Sequence, residues 1–203
     1  MNERDEILQR VRSALTSLPE RTPLPQWELN QLTGTSQPNL ADLAGAFEKR
    51  LIELNGLVFT DARTIAAFLR EKGCRRGYRD PGLAEELLAP LAAEFALEAA
   101  FDRKRADDYE FGISRATGAI AATGTVVLTD QGSGSRLGGL APWIHIAVVR
   151  RQDILLDIPA GIAALPKDPN VVWCTGPSRT ADVEGILIRG VHAPGIQAAW
   201  IVG

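Results

Sequence analysis

Cysteine is nearly absent from this 203-residue chain: Cys74 and Cys174 stand far apart, with no Cys-x-x-Cys pair and no histidine beside either. A cluster or zinc site built from local motifs is thereby excluded. No apolar run is long enough to cross a bilayer, and the opening Met-Asn-Glu-Arg-Asp-Glu is too charged for a signal peptide. The expected location is the cytoplasm, whose reducing conditions oppose a Cys74–Cys174 disulfide. Charge of one sign is also lacking. The formal net charge is −3, with acids and bases interleaved, as where Arg103-Lys104-Arg105 is followed by Asp107 and Asp108. That pattern is a solvated face and argues against a nucleic-acid partner.

Several catalytic and cofactor motifs are missing too. Gly132, Gly134 and Gly138 fail the dinucleotide fingerprint because Leu137 occupies the place of its third glycine, and no Gly-Lys-Ser/Thr marks a phosphate loop. The stretch from Gln131 to Arg136 reads instead as a hairpin or loop. No nucleophile, base and orienting acid recur at the spacing of a catalytic triad.

What the chain does have is 45% hydrophobic content, enough for a real core. Ile7, Val11, Leu15 and Leu18 give a short amphipathic helix, and Pro19 to Pro38 an irregular arm, so residues 1–39 are set apart from an α/β domain over 40–203. Leu40 to Leu54 reads as a helix stopped by Asn55-Gly56, Leu57 to Phe59 as a strand, and Ile65 to Leu69 as a helix capped by Thr60 or Asp61 and ended at Gly73. Arg75 to Gly82 reads as a polar turn, and Leu83 to Leu97 as a helical run split by Pro90. Val126 to Thr129 is strand-like, Trp143 to Val149 a central strand, and Ala198 to Val202 a terminal one. His145 within the central strand is either a satisfied core histidine or a base.

The most specific stretch runs from Thr175 to Glu184, Thr-Gly-Pro-Ser-Arg-Thr-Ala-Asp-Val-Glu, between Val171–Cys174 and Gly185–Ile188. It reads as the bend from a strand into a helix, the start of a parallel crossover to the last strand. Gly176 turns the chain, Ser178 or Thr180 accepts from free helix N–H groups, and Arg179 offers a planar fork to a carboxylate or phosphate. Under the plainer reading Thr180 caps the helix, Asp182 and Glu184 favour its positive end, and Arg179 pairs with one of them. If parallel-strand bends gather on one edge, Thr123, Gly124 and Thr125 meet Ser178–Thr180 there, with His192 near enough to exchange protons or bonded to backbone carbonyls instead.

These blocks resemble the lactate-utilisation protein C family, known as the LUD domain. Its Gly-Pro-Ser-Arg-Thr-Ala-Asp-(Ile/Val)-Glu segment is matched at 176–184, its Gly-Val-His-Gly-Pro turn at 190–194 with Ala193 for the glycine, and its Ile-Ala-Glu-Thr-Gly-Thr block at 120–125 with Ala122 for the acid. The resemblance implies a three-layer α/β/α fold with a mostly parallel sheet, like ribose-5-phosphate isomerase, glucosamine-6-phosphate deaminase and CoA transferases. It implies a non-redox part in oxidising L-lactate to pyruvate, beside iron–sulfur lactate-utilisation proteins A and B that carry the clusters, with no cofactor or metal on this chain. The site it suggests takes a small carboxylate or phosphate. The alternative is a free-standing isomerase, transferase or cyclo-ligase using that cleft on a phosphorylated or acyl substrate. The sequence leaves self-association open.

Overall fold

The computed structural model describes residues 3–16, 41–164, 170–181, 187–192 and 194–203. The chain divides into two units, 1–34 and 35–203. In the first, α1 (Glu3–Leu15) carries Ile7, Val11 and Leu15 at helical spacing, none of them buried. The proline-containing arm that the sequence places at 19–38 lies outside the described residues.

The second unit is built on a six-stranded, all-parallel sheet in the order β1-β12-β7-β4-β2-β3. The strands are β1 (Leu57–Phe59), β2 (Arg76–Arg79), β3 (Ala96–Glu98), β4 (Phe111–Arg115), β7 (Ile144–Arg150) and β12 (Ile196–Val202). A parallel sheet needs both faces covered, which is why β7 and β12 are mostly apolar, interrupted inside the sheet by His145 and Gln197. Alternate residues of β7 and β12 feed two cores. Ile144, Ile146, Val148, Ala198 and Trp200 meet α3 (Ala62–Glu71) and α4 (Glu85–Ala92) on one face. Ala147, Val149, Ala199 and Ile201 meet α2 (Leu43–Glu53) and a smaller sheet on the other. That smaller sheet has the order β8-β5-β6-β9, from β5 (Gly118–Ile120), β6 (Thr125–Thr129), β8 (Ile154–Leu155) and β9 (Val171–Cys174). The result is the expected three-layer α/β/α arrangement, with the small sheet sharing one outer layer.

Local signals explain the elements that bound the site. In α2, Phe47 and Leu51 lie one turn apart and fully buried, and Asp42 caps the start by accepting from the Gly45 N–H at 2.9 Å. Asn55 ends it with φ of 64°, the left-handed stop read from Asn55-Gly56. Asp61 caps α3 in the same way, through the Thr64 N–H at 2.9 Å. A five-residue helix, α5 (Arg136–Leu140), follows the glycine-rich loop and lies directly on the sheet.

Four expectations are corrected. Arg75–Gly82 is not a turn throughout, because Arg76–Arg79 forms β2, with Tyr78 fully buried and its arginines paired outward to Glu98 and Glu85. Pro90 does not split its helix but sits inside α4, and the run divides later, where Phe95 leads into β3. Val171–Cys174 starts no parallel crossover, since β9 pairs antiparallel with β6 in the small sheet. The helix expected after the signature is instead a hairpin of β10 (Arg179–Ala181) and β11 (Leu187–Arg189), as suits Ile188 and Thr180, which are β-branched and directly paired.

The seat of α5 is the tightest in the domain. A Cβ at Gly112 would fall on the carbonyl oxygen of Gly138, and one at Gly138 on the ring of Tyr78. Gly112→Ala must therefore lift α5 from β4. Its expected effect is a loss of roughly 2–3 kcal/mol in urea unfolding, against less than about 0.5 kcal/mol for alanine at the exposed Gln152.

Candidate functional site

In an open α/β sheet, ligands bind beyond the carboxyl ends of the strands at the point where the connections reverse direction. Here β2 passes through α4 to β3 on one side, while β4 leads through the small sheet and α5 to β7 and then to β12 on the other. The crevice that this rule expects therefore lies between the carboxyl ends of β2 and β4. Asp80 and Arg115 stand at its two lips.

Asp80 is fully buried. Its carboxylate accepts the Gly82 N–H at 2.7 Å and the Arg115 N–H at 3.1 Å, and lies 3.4 Å from Arg115 Nε. A buried carboxylate held this way is a fixed anchor for the guanidinium rather than an open acid. The Arg115 side chain is 42% exposed. It lies flat on the backbone of Gly82, where a Cβ would come within 2.5 Å of Nη1 and Nη2. The glycine-rich loop closes the far side. Its Ser135 N–H donates to the Tyr78 hydroxyl at 2.9 Å, and a Cβ at Gly134 would crowd the Asp80 carboxylate. Hydroxyls pin the loop base: Thr117 to Thr129 at 2.8 Å, and Ser133 accepting from the Thr129 N–H at 3.1 Å. The switch point thus presents a partly exposed, pre-oriented cationic fork.

The residues chosen from sequence gather elsewhere. Thr123 and Thr125 bond through their hydroxyls at 2.7 Å, and Thr125 bonds to Thr175 at 2.8 Å, so the two motif blocks do meet. Their meeting place is the carboxyl end of α2. Gly124 packs on the backbone of Arg50 and Leu51, Gly176 on Leu54, and Arg179 Nη2 donates to the Leu54 carbonyl at 2.6 Å. A guanidinium on a terminal helix carbonyl satisfies an otherwise orphaned acceptor at the negative end of the dipole. Because Leu54 precedes β1, this corner lies at the amino ends of the parallel strands. Ser178 holds the hairpin base, its N–H donating to Pro194 and its carbonyl accepting from Gly190, both at 3.0 Å. Thr180 lies within β10, paired with Ile188. His192 is exposed on a separate cleft beside Trp143 and Cys74. Asp182, Glu184 and Ala193 lie outside the described residues. Ala122 donates its N–H to the Leu156 carbonyl at 3.0 Å.

Sequence reading passed over Arg115 and Asp80. The available signal was Asp-Pro-Gly at 80–82 closing a short strand, which the flanking arginines disguised as a turn.

The sequence model of the LUD domain matches residues 80–199, from Asp80 at the crevice to the last strand. The chain belongs to the LUD domain family. It is 30% identical to lactate utilization protein C of Geobacillus kaustophilus over 213 aligned positions, covering 92% of this chain and 86% of that one. With lactate utilization protein C of Deinococcus radiodurans it is 33% identical over 90 residues, which span 42% of each chain. The crystal structure of a DUF162 family protein from Deinococcus radiodurans superposes with a TM-score of 0.58 at 21% identity, over 80% of this chain and 98% of that one. That likeness supports the fold of this LUD domain. Among the described residues no three His, Cys, Asp or Glu side chains converge as a metal site would require, and no helix is long and apolar enough to cross a membrane.

One buried polar row remains. His145 is fully buried on β7, with Nδ1 2.9 Å from Gln197 Oε1 on β12 and Nε2 2.6 Å from Ser114 Oγ on β4. Gln197 also donates its amide N–H to the Ala198 carbonyl at 3.3 Å, which fixes Oε1 as the acceptor from Nδ1. Nε2 then accepts from the Ser114 hydroxyl. Both ring nitrogens are satisfied and Gly139 of α5 covers the ring, so the arrangement is that of a core histidine. Burial pulls its pKa from the ordinary 6.5 down to about 4, with the Gln197 bond opposing.

A histidine depressed in the folded state takes up its proton more readily when unfolded, so its stabilisation is full above pH 6.5 and is lost as pH falls toward 4. The expected loss attributable to it is about 3 kcal/mol across that window. Urea unfolding of wild type and His145→Asn from pH 7.5 to 4.5 checks this: the variant should show a slope shallower by up to one proton. Parallel slopes would refute the assignment.

Proposed function

We propose that this LUD domain protein is a non-redox component of an L-lactate utilisation system, binding a small organic acid in the crevice between β2 and β4. Its partners are the iron–sulfur lactate-utilisation proteins A and B, which hold the redox clusters. The observation that carries the role is the likeness along 92% of the chain to a relative named lactate utilization protein C. The chemistry of the crevice supports the ligand class. Arg115 offers two parallel N–H donors of fixed geometry to a carboxylate.

A non-redox role agrees with the setting of the two thiols. Cys74 packs against the core on one face of the sheet and Cys174 against the core on the other, and burial pushes the Cys174 thiol up to about 12. Neither is set up as a ligand to a shared cluster.

Two measurements test the reading. Titration calorimetry with L-lactate and pyruvate should show saturable binding that Arg115→Ala weakens roughly tenfold or more, while Arg179→Ala, whose guanidinium is committed to the Leu54 carbonyl, stays near wild type. The reverse pattern would move the acid to the signature corner. Lactate-dependent dye reduction by the two iron–sulfur proteins should rise when this chain is added. No dependence and no co-purification would shift the function to a free-standing enzyme.

A further inference from the structure

A second concavity opens at the opposite, amino ends of the strands. It is a cleft of about 640 Å³ lined by Trp143, Ile144, Ile196, Val191, Cys74 and Leu140, with Lys72, Asp107, Glu110 and His192 also on it. Clefts of this size hold small molecules. Trp143 dominates it. The residue immediately precedes β7, and 54% of its surface is exposed, unusual for the largest side chain in a domain that buries Trp200. The exposure is one-sided. A Cβ at Gly190 or at Gly195 would strike the six-membered ring of Trp143, and the two glycines lie side by side, since a Cβ at Gly190 would also come within 3.0 Å of Gly195 Cα. The turn through Gly190 and Gly195 therefore seats one face of the indole on bare backbone and leaves the other open. The ring is held before any ligand arrives, which lowers the ordering cost of stacking on it.

The polar groups define what would stack there. Lys72 is a half-exposed cation paired with Glu71 at 3.4 Å, a surface pair of little strength, and His192 adds an exposed imidazole N–H donor. Both suit a phosphate. Glu110, whose carboxylate also accepts the Arg75 and Arg76 N–H groups, and the exposed Asp107 offer acceptors for an exocyclic amine. A ligand with both kinds of group around a planar ring is a mononucleotide with an amino-bearing base. We propose that this cleft binds such a nucleotide, its base stacked on the open face of Trp143 and its phosphate directed to Lys72 and His192. The site lies at the other end of the strands from the Arg115 crevice and does not depend on the lactate reading.

Titration calorimetry on the full chain with adenosine 5′-monophosphate, adenosine and ribose 5-phosphate tests it. The monophosphate should bind saturably and ribose 5-phosphate at least about tenfold more weakly. Trp143→Ala should weaken the monophosphate roughly tenfold or more, the cost of removing a base-stacking aromatic, with at most a small fall in its unfolding midpoint because one face of the ring is exposed. Lys72→Glu, also at the surface, should weaken the monophosphate while changing adenosine by less than about twofold. Absence of saturable binding at millimolar monophosphate, wild-type affinity in Trp143→Ala, or equal binding of ribose 5-phosphate would each overturn the proposal.

Discussion

The close seat of α5 on strands β2, β4 and β7 is the constraint on which the rest of the domain depends. Three glycines make it possible, Gly112 beneath, Gly138 against Tyr78 and Gly139 against His145. At this distance the helix backbone replaces a layer of side chains. Two consequences follow from one contact. The loop before α5 is drawn down over Asp80, shaping the crevice at the switch point, and the imidazole of His145 is sealed from water. Any bulk added beneath α5 would disturb both at once, which ties the stability of the central sheet to the geometry of the candidate site.

The buried polar groups divide into two kinds. His145, Ser114 and Gln197 satisfy one another across three adjacent strands and open onto nothing, so they set the register and identity of a core. Asp80 is as deeply buried, yet the cation it holds is partly exposed and faces the crevice. The cost of burying a carboxylate is met here by two backbone N–H bonds and a guanidinium. A residue that only packed the sheet would need none of this. An anchored, outward-facing arginine at the switch point is the arrangement expected of a site that must bind an anion without rearranging.

Much of the architecture was legible in the sequence because its signals are local or periodic. The apolar runs of β7 and β12, the cap at Asp61 and the stop at Asn55 each rest on a few neighbouring residues. What escaped was set by partners distant in the chain. Arg76–Arg79 looks like a turn until Phe111–Ile113 pairs beside it, and Val171–Cys174 is as apolar as a parallel strand although β6 takes it antiparallel into another sheet. The helix foreseen after the signature failed for a related reason. Gly-Pro-Ser-Arg-Thr reads equally well as a helix start or a hairpin base, and the bonds from Ser178 to Pro194 and Gly190 decided between them. For the site, the sequence brought Thr123–Thr125 and Ser178–Thr180 toward one corner, where the bond made is Thr125 to Thr175, but nothing local announced that Arg115 and Asp80 would lie together across 35 residues.

The signature stretch takes on a different meaning at the end of α2. Gly124, Gly176 and Arg179 approach the last turn of that helix from two separate segments, and each contact is to backbone. Carbonyls at a helix carboxyl terminus repel an anion, so a guanidinium placed among them is spent on neutralising the dipole. The same contacts fasten β9 and the hairpin to the helix that precedes β1, tying the small sheet and the large one at their amino ends. The densest motifs and the switch point of the sheet are therefore separated in this fold. The specific sequence blocks join the layers, and the less conspicuous Asp-Pro-Gly and Arg115 stand where the strand connections reverse. A ligand approaching the carboxyl ends meets the free edge of an arginine; one approaching the signature meets an arginine already occupied.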